Sequence, residues 1–200
     1  MSNKLILDHI RLALSSSQKP SSDFDLNPED IEITNNPLIS AAVLIPIVEK
    51  KTGLHILLTK RSSQLKKHPS QISFPGGKKE PRDTNLEQTA LRESSEEIGL
   101  PSEIVQFLGS LPCHETVTNF EITPYIGFLT KKFEPKINSG EVAELFSVPL
   151  EYLLKTDNFV IQSRHWHRKK RYYYTIPYGP HYIWGATARI LRGLAEAVSK

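Results

Sequence analysis

Apolar and polar positions along the chain change period several times, and each change marks an element. Residues 3–14 place Leu5, Ile6, Ile10, Ala13 and Leu14 at helical spacing, which predicts a short amphipathic helix. Ser15 to Pro37 loses that period, is rich in Ser, Pro, Asn and Asp, and reads as a linker. Continuous apolar runs at 41–48 and 54–61 predict two buried strands, and Glu49 to Gly53 between them reads as a hairpin turn. A short strand at 71–74 runs into Pro75-Gly76-Gly77. Leu86 to Ile98 has the clearest helical period. Thr84 with Glu87, or Asn85 with Gln88, offers a capping box, and Gly99 stands where a terminating glycine belongs. Further strands are predicted at 104–111, 120–130 and 143–150, an outer hairpin at 164–176 and a last helix at 184–198. Strands mixed with helices, without strict alternation, predict an α/β fold: one mixed β-sheet with helices on its faces, in a domain of residues 38–200 preceded by the helix and linker of residues 1–37.

Composition narrows the chemistry. A net charge of +3 suits an anionic ligand but falls well short of a nucleic-acid-binding tail, so no nucleic-acid partner is expected. Cys113 is the single cysteine, which excludes cysteine-rich metal sites and an internal disulfide and favours a reducing compartment. The N-terminal apolar stretch is interrupted by Asp8, His9 and Arg11, unlike a signal peptide. No apolar run approaches the ~20 residues of a membrane helix, so a cytoplasmic protein with no membrane contact is expected. Oligomeric state stays open, a homodimer included.

On a wheel of helix 86–98, Leu86, Ala90, Leu91, Ser94 and Ile98 share one arc, the one expected to face the core. Glu93, Glu96 and Glu97 crowd the next arc at i, i+3 and i+4. Like charges at that spacing repel, and the helix dipole opposes them in the last turn. A solvated acidic face paired with Arg92 is one account. A divalent cation, Mg²⁺ or Mn²⁺, is the other, because such ions take oxygen ligands and neutralise phosphate charge.

The surrounding residues speak for the second. Gly76 to Leu100 resembles the Nudix box, with Gly77 as leading glycine and Arg92, Glu93, Glu96, Glu97, Gly99 and Leu100 at matching positions. The loop is one residue longer than the commonest form, so the mid-loop acid falls on Asp83 or Thr84 depending on the end from which it is counted. Ser94 stands where an aliphatic is usual. The resemblance implies a Nudix-type α/β/α sandwich and water attack on a pyrophosphate. It implies metal binding by Glu93, Glu96, Glu97 and the Gly77 carbonyl, with Arg92 orienting a glutamate. One of the glutamates would act as base, and Glu141, from a late loop, is the preferred further candidate as ligand or base.

Leu57 to Gly77 resembles a second motif, found upstream of the box in coenzyme A pyrophosphatases. Leu57, Leu58, Thr59, Arg61, Ser62, Leu65, His68, Gln71, Ser73 and Phe74 to Gly77 agree, whereas Pro69-Ser70 replaces a small residue and Gly. Residues 182–191 are similar to that subfamily too. The implied substrate is coenzyme A or an acyl-CoA, met by Arg61, Ser62, His68, Gly76 and Gly77; a general hydrolase of nucleotide sugars or dinucleotides is the alternative. Arg61 could equally be a surface ion-pair partner, and His68 a structural loop residue. The seven potential cations between Arg164 and Arg171 fit the exposed face of a hairpin better than a nucleic-acid patch.

Overall fold

The computed structural model describes residues 2–16, 18–30, 37–166 and 169–199. In chain order its elements are α1 (Asn3–Ser15), β1 (Ser21–Ser22), β2 (Ile39–Lys50), β3 (Gly53–Arg61), β4 (Ile72–Ser73), β5 (Gly76–Lys78), α2 (Leu86–Ile98), β6 (Val105–Ser110), β7 (His114–Glu115), β8 (Phe120–Leu129), β9 (Val142–Pro149), α3 (Leu150–Leu154), β10 (Val160–Trp166), β11 (Lys169–Tyr178), β12 (His181–Trp184) and α4 (Gly185–Val198). Among the described residues no helix is long and apolar enough to cross a membrane.

Strand β2 organises the sheet. It runs parallel to β8 along one edge. On its other edge, Ala41–Val43 pair with β5 and Ile47–Lys50 pair with β3, both antiparallel. Strand β9 pairs antiparallel with the far edge of β3, and β6 and β7 pair with β8. The sheet is therefore mixed, as the element pattern predicts.

Alternation along these strands builds two cores. Ala42 and Leu44 of β2 and Leu57 of β3 pack with Ala90, Ile98 and Leu100 beneath α2. Their neighbours Ile45, Ile47, Ile56 and Leu58 face the opposite side, against Leu150 and Leu153 of α3 and Leu191 and Leu194 of α4. Helices on both faces make the α/β/α sandwich. A second antiparallel sheet, β10-β11-β12, lies by α4, with Ile176 and Ile183 buried in the same core. Residues 167–168, within the segment 164–176 expected to form an outer hairpin, lie outside the described residues.

Residues 18–30, read as part of a linker, are packed against the fold. Ser21–Ser22 pair parallel with His114–Glu115. Buried His114 is held by the Ser21 hydroxyl (2.9 Å) and the Asp23 carboxylate (3.2 Å). The Asn27 side chain donates to the carbonyl of Tyr172 and accepts from its N–H, at 2.8 and 2.7 Å. Asp25 pairs with Arg189. These contacts are polar and distant in sequence, so no apolar period announces them.

Candidate active site

Helix α2 begins where the side chain of Asn85 accepts the Gln88 N–H (2.8 Å), and Gln88 reaches back to the Thr84 N–H (2.6 Å). It ends at Gly99 in the left-handed region (φ 68°), with the Leu100 N–H returning to Ser94. The helix rests on the sheet through Ala90, Ser94 and Ile98, with Leu86 partly buried against the same core and Leu91 half-exposed. Ser94 is fully buried and returns its hydroxyl to the Ala90 carbonyl (2.7 Å). A short side chain that satisfies itself can fill this tight helix–sheet contact where a bulky aliphatic is usual.

Settling α2 on the sheet separates the three glutamates. Glu97 is only 2% exposed. Glu93 is half-buried under β5, so close that a Cβ on Gly77 would lie 2.5 Å from its carboxylate. Glu96 faces outward and is held by Arg82 (2.9 Å) and Arg92 (3.0 Å). The crowded arc thus resolves into two inward carboxylates and one at the rim.

Arg92 anchors the outer side of this arrangement. Its guanidinium grips Asp83 in a two-pronged bond (2.9 and 3.0 Å) and also donates to Glu93 (2.9 Å), Glu96 and the Lys78 carbonyl. Asp83 is therefore the mid-loop acid, while Thr84 sits by the N-cap. The Arg92 hydrogen bond holds the Asp83 carboxyl well below the usual carboxylate range.

Inside, the charges are not balanced. Burial pushes Glu93 up, against the pull of Arg92. Burial also pushes Glu97 up to about 8; Glu93 and Glu141 reinforce the shift, and Arg61 and the Gly76 N–H oppose it. The Glu97 Oε2 is buried without a hydrogen-bond partner, as is Arg61 Nε. Glu141 comes from the loop before β9, which is tied to the end of α2 by Lys136 N–H to Ile98 O (3.0 Å) and Asn138 N–H to Glu97 O (2.9 Å). The Asn138 amide then donates to the Glu141 carboxylate (3.1 Å). Asn138 escaped the sequence reading; its only signal is the Asn-Ser-Gly turn, whose Gly140 N–H the Asn138 side chain accepts.

The remaining candidates divide. Gly76 (φ 155°) lies against β2, where a Cβ would strike the Ala42 carbonyl, so only glycine allows the approach that brings Gly77 over Glu93. Ser62 is buried, and its N–H donates to the Glu141 carbonyl (2.8 Å), which makes it a support of the late loop. His68 is exposed at φ 54°, with its ring against Gln71 (3.1 Å). Ser70, where the motif has Gly, is also left-handed at φ 58°.

A divalent cation fits these donors in kind. Carboxylates and a peptide carbonyl are hard oxygen ligands, and an unpartnered buried Oε2 is an acceptor in want of a charge. As they stand, no three carboxylate, histidine or cysteine side chains among the described residues are gathered closely enough to hold an ion.

A family model described as NUDIX domain matches residues 38–170. An uncharacterized Nudix hydrolase called NudL from Yersinia enterocolitica is 40% identical over 159 residues, spanning 80% of this chain and 81% of that protein. NudL of an Enterobacter species is also 40% identical over 159 residues, spanning 78% and 80%. The crystal structure of a MutT protein from Methanosarcina mazei aligns over 60% of this chain and 83% of that one, with a TM-score of 0.48 and 24% identity.

Proposed function

The chain belongs to the Nudix family and is a hydrolase of phosphoanhydride bonds, and from that premise we propose that its substrate is coenzyme A or an acyl-CoA, cleaved at the pyrophosphate with Mg²⁺ or Mn²⁺. Glu93, Glu97 and the Gly77 carbonyl would hold the cation, with Glu96 at the rim of the same site. A bound cation supplies charge neutralisation on the pyrophosphate and makes a water easier to deprotonate.

The chain's own residues do the rest. Arg92, fixed by Asp83, aims Glu93. Glu141, placed by Asn138, is the preferred general base, taking a proton from the attacking water. The exposed Lys66, Lys67 and His68 of the 62–71 loop offer donors to the substrate's anionic groups, and Gly76 and Gly77 let its phosphates approach the backbone. Ser62 contributes by supporting the Glu141 loop. A single half-exposed cysteine, Cys113, suits a reducing cytoplasmic setting.

The observation that carries the substrate reading is the stretch from Leu57 to Gly77, which resembles the coenzyme A motif and runs from β3 through β4 into the Gly76-Gly77 approach. Turnover of coenzyme A, dephospho-coenzyme A, ADP-ribose and NADH at equal metal and pH, with products identified by mass, tests it. Coenzyme A should lead, yielding adenosine 3′,5′-bisphosphate and 4′-phosphopantetheine. Faster turnover of ADP-ribose or NADH would replace it with the dinucleotide and nucleotide-sugar reading.

A further inference from the structure

Strands β10, β11 and β12 form a small sheet with two unlike faces. Ile176 and Ile183 pair with each other and are fully buried in the core that α4 shares. Alternation places Gln162, Arg164, Tyr173, Tyr182 and Trp184 together on the opposite face. Among the described residues of that face only the small Thr175 is buried. Its aromatic side chains are already fixed. The Arg164 guanidinium lies over the Trp184 ring (4.6 Å), Tyr173 meets the same ring edge-on (5.4 Å), and the Tyr182 hydroxyl donates to Gln162 (2.7 Å). Rings held in place by their neighbours lose little freedom on binding. The charge around them has one sign: no acidic residue occurs between Asp157 and Glu196, a stretch that holds Arg164, His165, Lys169, Lys170 and Arg171.

The small sheet sits at the end of β3. His181, at one end of β12, stacks on Phe146 of β9 (3.7 Å), and its Nε2 lies 3.6 Å from Glu144. At the other end β12 lies against β4, and Thr187, just beyond it, donates its hydroxyl to the Ile72 carbonyl (3.0 Å). Strands β9 and β4 flank β3 on its two edges, so β12 spans the end of β3, where a bulge turns Arg61 and the 62–71 loop begins. Glu141 is three residues from Glu144, about 10 Å along an extended strand. That is the scale of the ribose and diphosphate that separate an adenine from a cleaved phosphoanhydride.

We propose that the outward face of this sheet is the adenosine subsite. The adenine lies on the exposed Tyr182 ring, beside the Arg164–Trp184 stack, whose cation attracts the phosphates. Aromatic rings accept the flat face of a base, and clustered cations fit its anionic groups. Three strands about 4.8 Å apart give a face about 10 Å wide, room for one base rather than a run of them. The inference rests on the reading that the substrate is an adenosine-bearing phosphoanhydride, and holds equally for coenzyme A, ADP-ribose and NADH.

The test is calorimetric titration of the full chain with adenosine 3′,5′-bisphosphate, without metal, for wild type, Tyr182→Ala, Tyr182→Phe and Arg164→Gln. Steady-state kinetics on coenzyme A, ADP-ribose and NADH accompany it. Tyr182→Ala and Arg164→Gln should each weaken the bisphosphate about tenfold, and Tyr182→Phe, which keeps the ring, about twofold or less. In turnover the loss should fall on KM, with kcat within about twofold of wild type. Folded variants that bind the bisphosphate and turn over as wild type does overturn the inference and leave the substrate reading intact. Tighter binding of an adenine oligoribonucleotide, or of vesicles containing phosphatidylserine, weakened by the same substitutions, gives the face to RNA or to a lipid surface and also overturns it. Turnover of none of the three substrates by the wild type would remove the substrate reading itself, and the inference with it.

Discussion

Two buried carboxylates stand at the two ends of α2, and they are treated oppositely. Asp83, before the helix, receives Arg92 Nε and Nη2, the Thr89 hydroxyl and the Glu80 N–H. Glu97, in the last turn, takes the Gly76 N–H and faces two other carboxylates, with one oxygen unpartnered. A satisfied buried charge stabilises its surroundings; an unsatisfied one is a cost retained for a ligand. The contrast separates the part of the motif that builds the helix from the part that performs chemistry.

The largest expected effect lies at the unsatisfied end. Glu97→Gln should lower turnover by at least about a hundredfold, while the metal-free melting temperature near pH 8 rises, because a neutral amide replaces a crowded carboxylate. Parallel kinetics and thermal melts check both, and a variant that loses activity and stability together would make Glu97 a structural residue like Asp83. Asp83→Asn is the mirror experiment. Replacing one partner of a buried pair leaves Arg92 only Glu93, Glu96 and the Lys78 carbonyl, and costs up to about 3–5 kcal/mol in urea unfolding. A loss under about 1 kcal/mol would erase the comparison.

Acid and base should move the two ends in opposite directions. Burial pushes the folded Glu97 carboxyl up to about 8, against 4.5 ordinarily. Its contribution is complete below the ordinary value and is lost as pH rises through about 8, so metal-free stability should decline over that window, and less steeply in Glu97→Gln. Asp83, held low by Arg92, contributes fully above the ordinary carboxylate range and loses its contribution only in strong acid. Melting curves across pH, with and without Mn²⁺, read both; added Mn²⁺ should flatten the decline by binding the ionised form. The smallest effect is at Ser70, whose left-handed backbone favours glycine. Ser70→Gly should raise stability by up to about 1 kcal/mol, since relief of strain exceeds the added entropy of the unfolded chain.

Local order was legible from local signals. The helical period of 86–98, with a cap at Thr84 or Asn85 and Gly99 after its end, marked α2 to the residue, and the apolar runs marked β2 and β3, because caps and periodicity act over three or four neighbours. The same period placed Glu93, Glu96 and Glu97 on one arc, and the resemblance to a Nudix box implied their use as metal ligands. How deeply each was buried was not decided there. The helix had to be laid on Ala42, Leu44 and Leu57 before Glu97 was buried and Glu96 left at the rim. Likewise, two ways of counting left the mid-loop acid open until Arg92 closed on Asp83. The docking of residues 18–30, the bulge that turns Arg61 and the anchoring of Glu141 by Asn138 depend on hydrogen bonds between chain positions far apart or on one-residue shifts of register. Such contacts have no period for a sequence to display, so the chain alone determined the elements and their chemistry, and only packing decided which charges were left to face one another.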